Sequence, residues 1–292
     1  MALNKPVKIK AYGKINLTLD ILGFMDNGYH RVEMIMQQVS VYDSIAIRHN
    51  GEEGTVVKSN CAWLPCDNRN LAWKAVKAFS EATGCSDSIR VDMLKFIPVS
   101  AGMAGGSSDA AAVLKGLNIL YKAGLTVDEL CEIGKKIGSD VPFCIKGGTM
   151  LAAGTGDELY QLPPMPNCYI LLAKPKLNIS TPAAYAEFDK AEHIVHPNTV
   201  ECIRALENND LMALCKGMHN VFEDARTIPE VEKLKSIMQE HGAICANMSG
   251  SGPTVFGIFT ELKSAEAAKM ACRPYAPFVF CCRPVDPLTK RN

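Results

Sequence analysis

The stretch Ser100-Ala-Gly-Met-Ala-Gly-Gly-Ser-Ser-Asp-Ala-Ala111 constrains this chain more than any other. It follows an alternating, strand-like run and opens a long apolar helix. Glycine lets the main chain approach another group closely and take dihedrals that a side chain forbids. The helix that follows turns unpaired N–H groups and the positive end of its dipole toward whatever sits there. An ordinary strand-to-helix turn needs one glycine, and here three stand beside two serines. That combination suits phosphate. Neither of the two commonest nucleotide signatures is present. The glycines fall at Gly102, Gly105 and Gly106, which is not G-x-G-x-x-G. No G-x-x-x-x-G-K-[ST] occurs, because Gly13-Lys14 and Gly134-Lys135 are each followed by the wrong residue. The chain carries a third kind of phosphate loop.

Around this loop the periodicities alternate between strand and helix. Residues 7–48 read as strands, with Leu17 to Leu22 partly alternating, Asp26-Asn27-Gly28 supplying a hairpin turn and Val32 to Ile47 returning extended. Asn70 is placed to cap a helix with Leu71, Ala75, Val76 and Phe79 on one face, stopped at Gly84. Ile89, Val91 and Met93 alternate as a strand that ends at Pro98. Past the loop, Ala110, Val113, Leu114, Leu117 and Tyr121 recur at helical spacing until Gly124. Thr126 with Glu129 predicts a capping box on a second helix containing Leu130, Ile133 and Ile137. Pro142 is expected to hold the chain extended. Leu162-Pro-Pro-Met-Pro166 is the best candidate boundary, dividing the chain into domains 1–160 and 161–292. Beyond it come a buried strand from Tyr169 to Ala173 and helical segments near 182–192, 199–207 and 210–224. A helix opened by Pro229 carries Val231, Leu234, Ile237 and Met238. The tail predicts strands over 244–248, 254–260 and 277–283 with a helix over 263–272. Strands first and helices after, in short runs, give the class α+β.

Bulk properties exclude several functions. A chain of 292 residues with 48% hydrophobic content has enough material for a sizeable core in one large or two medium domains. Lys+Arg and Asp+Glu both number 31, so no whole-chain field draws in nucleic acid or anionic lipid, and a small molecule is the expected partner. The Met-Ala-Leu-Asn start shows no apolar targeting segment and no run reaches membrane-spanning length, so a soluble cytoplasmic protein is expected. Twelve cysteines are scattered without a C-x-x-C pair, which reads as reduced, buried thiols rather than disulfides or zinc.

Four further features could carry chemistry. Asp140, in Gly138-Ser-Asp-Val-Pro142, is a possible reactive carboxylate, though an aspartate there commonly caps a turn. Lys14 and Asn16, two apart on a strand, share one face. Tyr29-His30 follows the hairpin turn, where an interfacial aromatic and a surface histidine are the plainer reading. Ser249-Gly-Ser-Gly-Pro253 separates two short strands and suits close approach to a ligand.

Taken together, these stretches resemble the GHMP kinase superfamily. Its three motifs are matched in order by Lys14-Ile-Asn-Leu-Thr-Leu19 with Asn27-Gly-Tyr-His30, by Pro98 to Ser108 continued through Ala112, and by Asn247-Met-Ser-Gly-Ser-Gly-Pro-Thr-Val-Phe256. Gly28-Tyr29-His30 and Gly138 to Pro142 narrow the likeness to a branch acting on a diphosphocytidyl-linked methylerythritol in isoprenoid precursor synthesis. Phe24 and Met25 stand where relatives usually carry basic residues, Asn27 replaces a common aspartate and Met103 a common leucine. The resemblance implies an N-terminal ribosomal-protein-like α+β domain and a ferredoxin-like C-terminal domain. It implies transfer of the ATP γ-phosphoryl to the substrate's 2-hydroxyl, with Mg²⁺ accompanying the nucleotide and the enzyme a monomer or homodimer. Pro98, Val99, Ser100, Ala101, Gly102, Met103, Ala104, Gly105, Gly106, Ser107 and Ser108 would hold ATP. Asp140 would be the general base and Lys14 would stabilise charge at the attacking oxygen. Asn16 would position the substrate's phosphate or erythritol end, His30 would hydrogen-bond the base edge, and Tyr29 and Tyr185 would stack on its faces. Open alternatives are a homoserine, mevalonate or sugar kinase of the same superfamily, and a non-catalytic nucleotide-sensing or RNA-binding protein on the same scaffold.

Overall fold

The computed structural model describes residues 5–26 and 28–287, so Asn27 lies outside the described residues. The elements in chain order are β1 (Val7–Phe24), β2 (His30–His49), β3 (Val56–Ser59), α1 (Leu71–Thr83), β4 (Ile89–Leu94), α2 (Gly105–Tyr121), α3 (Val127–Lys135) and α4 (Val141–Lys146). Then come β5 (Thr149–Ala153), β6 (Glu158–Gln161), β7 (Tyr169–Lys174), α5 (Thr181–Phe188), α6 (Thr199–Glu207), α7 (Leu211–Gly217), α8 (Phe222–Ala225), α9 (Pro229–Glu240), β8 (Cys245–Met248), β9 (Val255–Phe259), α10 (Leu262–Cys272) and β10 (Phe278–Cys282). The mixture is α+β, as expected. The chain groups into two units that interleave along the sequence. One comprises the chain up to Gly13, Val41–Val99 and Ala104–Lys146; the other comprises Lys14–Ser40, Ser100–Met103 and the chain from Gly147 onward.

In the first unit β3 pairs parallel with β4, Val57 opposite Val91, and β4 pairs antiparallel with β2, Ile45 opposite Met93. Helices α1 to α4 pack together in the same unit. The α1 start follows its sequence signal: the Asn70 side chain accepts from the Ala72 N–H, and Gly84 closes the helix in the left-handed region. Thr126 and Glu129 form the capping box of α3, with both reciprocal bonds made. Two expectations need correction. Pro142 does not hold the chain extended but sits in the first turn of α4, where its missing N–H leaves no helical bond unmade. Helix α2 stops at Lys122, itself left-handed, before Gly124 is reached.

In the second unit β2 pairs antiparallel with β5, and β5 with β6. A separate four-stranded sheet has the order β10-β7-β9-β8, antiparallel throughout. With α9 between β7 and β8 and α10 between β9 and β10, this is the β-α-β-β-α-β arrangement of ferredoxin-like domains. Its core gathers Leu171, Leu234, Ile237, Met238, Val255 and Phe259. The four apolar positions picked for the Pro229 helix are all buried. Burying each such side chain contributes about 1.5–3 kcal/mol. The helix expected over 210–224 is broken into α7 and α8. Between them the chain makes a parallel bridge, Leu19 N–H donating to His219 O and Val221 N–H to Leu19 O. None of the twelve cysteines forms a disulfide, and among the described residues no helix is long and apolar enough to cross a membrane.

Candidate functional site

Three motif stretches meet inside the second unit. β1 places Lys14 and Asn16 on one face, as its period of two requires, and the Lys14 Nζ donates to Asn16 Oδ1 at 2.6 Å. Both are buried, at 5% and 1% exposure, where a strand lysine would ordinarily be solvated. The Lys14 N–H donates to the carbonyl of Met103 at 3.1 Å. The Asn16 N–H donates to Ser249 Oγ at 3.2 Å, and that hydroxyl in turn donates to the carbonyl of Gly102 at 2.9 Å. One serine thus links β1, the glycine loop and the Ser249–Pro253 loop. Gly102 must be glycine, because its φ is +72° and a Cβ there would stand 2.0 Å from Ser249 O. Behind this junction, buried Asn220 donates to the carbonyls of Met248 and Gly250, both at 2.8 Å, and accepts from the Phe222 N–H.

Pro98, Val99 and the loop residues from Ala104 onward belong to the first unit. Ala104, left-handed at φ 53°, precedes α2, and no side chain caps the helix. The first-turn N–H groups at Gly105, Gly106 and Ser107 therefore keep the donor capacity that suits an anion. Ser108 is buried, and its hydroxyl donates to the Tyr12 carbonyl at 2.6 Å. Pro98 and Val99 lead into the loop half-buried, Ser100 is left-handed and exposed, and Ala101 and Met103 are buried. Beneath the turn Lys95 pairs with Asp109 and Asp43. Asp140, in the same unit, stands half-buried at the opening of α4, its carbonyl accepting from the Cys144 N–H at 3.1 Å. Lys14 falls in the second unit.

An aromatic cluster forms at the β1–β2 turn. The His30 ring lies between Phe24 and Tyr185, at centroid distances of 4.4 and 4.6 Å, and its Nε2 meets Asp189 Oδ1 at 2.7 Å. Tyr185, on α5, packs edge-on against Phe222. Phe24, which replaces a usual basic residue, joins this stack instead of adding charge. Tyr29 is 67% exposed beside it. His30 and Tyr185 are thus brought together, ring against ring.

Sequence reasoning quoted Ser249 and Asp109 within their motifs without giving either a part of its own, and missed Asn220, Lys95 and Asp43 altogether. Only Asp43 left a signal, a lone acid in the apolar alternation of Val41 to Ile47. Among the described residues no three His, Cys, Asp or Glu side chains gather to hold a metal.

The GHMP kinases N terminal domain family matches residues 70–148, and the GHMP kinases C terminal family matches 202–276. A 4-diphosphocytidyl-2-C-methyl-D-erythritol kinase of Clostridium tetani is 44% identical over 89% of this chain and 93% of its own length. The kinase of the same name in Listeria monocytogenes is 41% identical over 95% of this chain and 96% of its own. Among solved structures, a 4-(cytidine 5'-diphospho)-2C-methyl-D-erythritol kinase superposes with a TM-score of 0.81 at 28% identity, covering 95% of this chain and 98% of that one. A homoserine kinase from Cytophaga hutchinsonii reaches 0.78 at 18% identity over 98% of this chain and 96% of its own, a likeness of fold.

Proposed function

We infer the reaction from kinship: the chain belongs to the GHMP kinases, and within them to the family of 4-diphosphocytidyl-2-C-methyl-D-erythritol kinases. It is an ATP-dependent kinase. Its reaction is transfer of the γ-phosphoryl to the 2-hydroxyl of 4-diphosphocytidyl-2-C-methyl-D-erythritol, a step of the non-mevalonate route to isoprenoid precursors. The observation that carries this choice of acceptor, beside the relatives' names, is the pairing of His30 with Tyr185. Aromatic side chains gathered at one point, with Tyr29 exposed beside them, suit recognition of a cytosine ring, and homoserine or mevalonate offers no such ring. The two family matches fall on either side of residue 160, which supports a division near the Leu162–Pro166 stretch.

Phosphoryl transfer asks for in-line positioning and neutralisation of charge on the transferred group. Residues Pro98 to Ser108 would take the nucleotide phosphates on backbone N–H groups, which the uncapped start of α2 fits. Magnesium would arrive with the nucleotide on its phosphate oxygens and would offset their charge. Asp140 takes the proton of the acceptor hydroxyl, and Lys14 stabilises the oxygen as it attacks. The Lys14–Asn16 bond holds both side chains at one point on β1, and Asn16 positions the polyol. Tyr29, His30 and Tyr185 hold the base.

The deciding assay follows ATP consumption by the purified protein with the diphosphocytidyl substrate, homoserine and mevalonate in parallel. Turnover with the first alone is expected. Turnover only with homoserine or mevalonate would transfer the assignment to another GHMP kinase.

A further inference from the structure

Beneath the first turn of α2 lies a buried cluster of three charged side chains that the chemistry above does not use. The Lys95 ammonium sits between Asp43 of β2 and Asp109 of α2, hydrogen-bonded to Asp43 Oδ2 and 2.5 Å from Asp109 Oδ2. The Lys95, Asp43 and Asp109 side chains are 5%, 0% and 3% exposed. The same ammonium approaches the carbonyl of Gly105 at 3.5 Å, so the cluster touches the residue that opens the helix.

Two carboxylates face one ammonium, and they are not equally supplied with donors. Asp43 Oδ1 also accepts from the N–H groups of Phe96 and, at 2.8 Å, Ile97. Asp109 has Lys95 on one oxygen, while its Oδ1 is buried with no hydrogen-bond partner. A bare buried carboxylate oxygen is costly, and a proton taken up beside a second carboxylate relieves the cost. Burial pushes the Asp109 carboxyl up to about 7, with Lys95 opposing and Asp43 adding to the rise. Burial disfavours the Lys95 ammonium, yet Asp109 and Asp43 hold its pKa above the ordinary lysine value. Helices α1, α3 and α4 also pack on α2, but among the described residues Lys95 and Asp43 are the charged groups acting on Asp109.

Resting on the reading that this loop takes the nucleotide's phosphates, we propose that Asp109 is a positioning residue for the nucleotide and binds a proton as the phosphates dock. Asp109 lies four residues past Gly105, about 6 Å along the helix axis. Phosphates at the helix start bring further negative charge toward a carboxylate in a medium that screens poorly, and the neutral acid is favoured. The proton comes from solvent and forms one O–H bond on Asp109, leaving Lys95 to pair with Asp43. By linkage, the nucleotide binds more tightly to the protonated form than to the ionised one. Affinity for MgATP should therefore fall as pH rises above 7, by up to about tenfold per unit.

The test is calorimetric titration of the intact protein with MgATP, without acceptor, in two buffers of different ionisation enthalpy at pH 7.5. Net proton uptake with nucleotide binding, seen as unequal heats in the two buffers, is expected. Asp109→Asn, which cannot titrate, should bind MgATP without that uptake and with an affinity constant from pH 7 to 8.5. Equal heats in the two buffers for the wild type overturn the proposal, and so does an Asp109→Asn protein that takes up as many protons as the wild type. If the variant fails to fold by circular dichroism, the wild type decides alone: an MgATP dissociation constant unchanged between pH 7 and 8.5 overturns it. No binding of MgATP at all would instead overturn the nucleotide reading of the loop, and this proposal with it.

Discussion

The hydroxyl of Ser249 donates to the carbonyl of Gly102 at 2.9 Å across 147 positions of chain, and this bond ties the Ser249–Pro253 loop to the glycine loop. Because Ser249 also accepts from the Asn16 N–H, Ser249→Ala strands a donor and an acceptor together. Leaving buried polar groups unmatched costs about 1–3 kcal/mol. The variant should lose that much stability in urea unfolding and show a raised KM for ATP. Gly102→Ala should be worse, since its Cβ would stand 2.0 Å from a backbone oxygen at a φ of +72°. If Gly102→Ala unfolds at the wild-type urea concentration, the junction is softer than its geometry implies.

Asn220 offers a sharper comparison. Its amide faces the carbonyls of Met248 and Gly250, so a replacement that cannot donate leaves both unanswered. Asn220→Ala removes the bonds, with a loss of about 1–3 kcal/mol. Asn220→Asp adds a buried charge against two carbonyl oxygens, and an uncompensated buried charge costs about 3–5 kcal/mol. Urea unfolding should rank wild type above alanine above aspartate. Aspartate equal to alanine would mean that the site admits water.

What was legible in the sequence depended on short range. The Thr126–Glu129 box, the Asn70 cap and the buried stripe from Val231 to Met238 are local patterns, and the structure follows them. Lys14 and Asn16 were placed on one face by strand alternation alone, and they hydrogen-bond. The misreadings arose where a local rule met a long-range bond or a second allowed use. Residues 210–224 keep helical composition throughout, but the backbone near Asn220 bonds to Leu19, 201 positions earlier, and the helix gives way. An extended chain at Pro142 is one use of proline, and the first turn of a helix is another that accepts it equally well. Asn220 left no signal, and Ser249 only the one its loop carries, because their partners are far away in sequence.

Alkaline pH should weaken the fold in a way set by its thiols. Burial pushes Cys131, Cys202 and Cys272 up to about 11 and Cys168 to about 12. An unfolded thiol titrates near about 8.5, so between there and about 11 the folded chain binds more protons than the unfolded one. Stability is full below that window and falls as pH rises through it. Lys115 acts oppositely. Burial pushes it down to about 8, although its amine donates to the carbonyls of Cys144 and Ile145. Between about 8 and 10.4 the unfolded lysine holds the extra proton, and this site alone gains stability with pH. Urea midpoints in reducing buffer should therefore drop from pH 8.5 to 11, and drop more steeply in Lys115→Met. A flat wild-type profile, or a variant parallel to it, would contradict the assignment.

Tyr185 supports His30 on one side and rests on Phe222 on the other. Base–aromatic stacking contributes about 1–3 kcal/mol per base. Tyr185→Ala should raise the KM for the diphosphocytidyl substrate about tenfold to a hundredfold, with a smaller fall in kcat and an unchanged KM for ATP. A KM for the cytidine substrate that stays at its wild-type value would remove Tyr185 from base recognition.

Asp140 separates chemistry from binding. Its backbone carbonyl, not its side chain, carries the bond to the Cys144 N–H that opens α4, so Asp140→Asn leaves that helix start intact. The amide keeps the shape of the acid but cannot accept the proton of the acceptor hydroxyl. A positioned acid–base group contributes about 10²–10⁴-fold, and kcat should fall by that factor. The dissociation constants for MgATP and for the diphosphocytidyl substrate, read by calorimetry on the same variant, should stay within about twofold of wild type, because loss of a group used only in the transition state leaves ground-state binding in place. Parallel losses in binding and turnover would make Asp140 a ligand contact, and the base would have to be sought elsewhere.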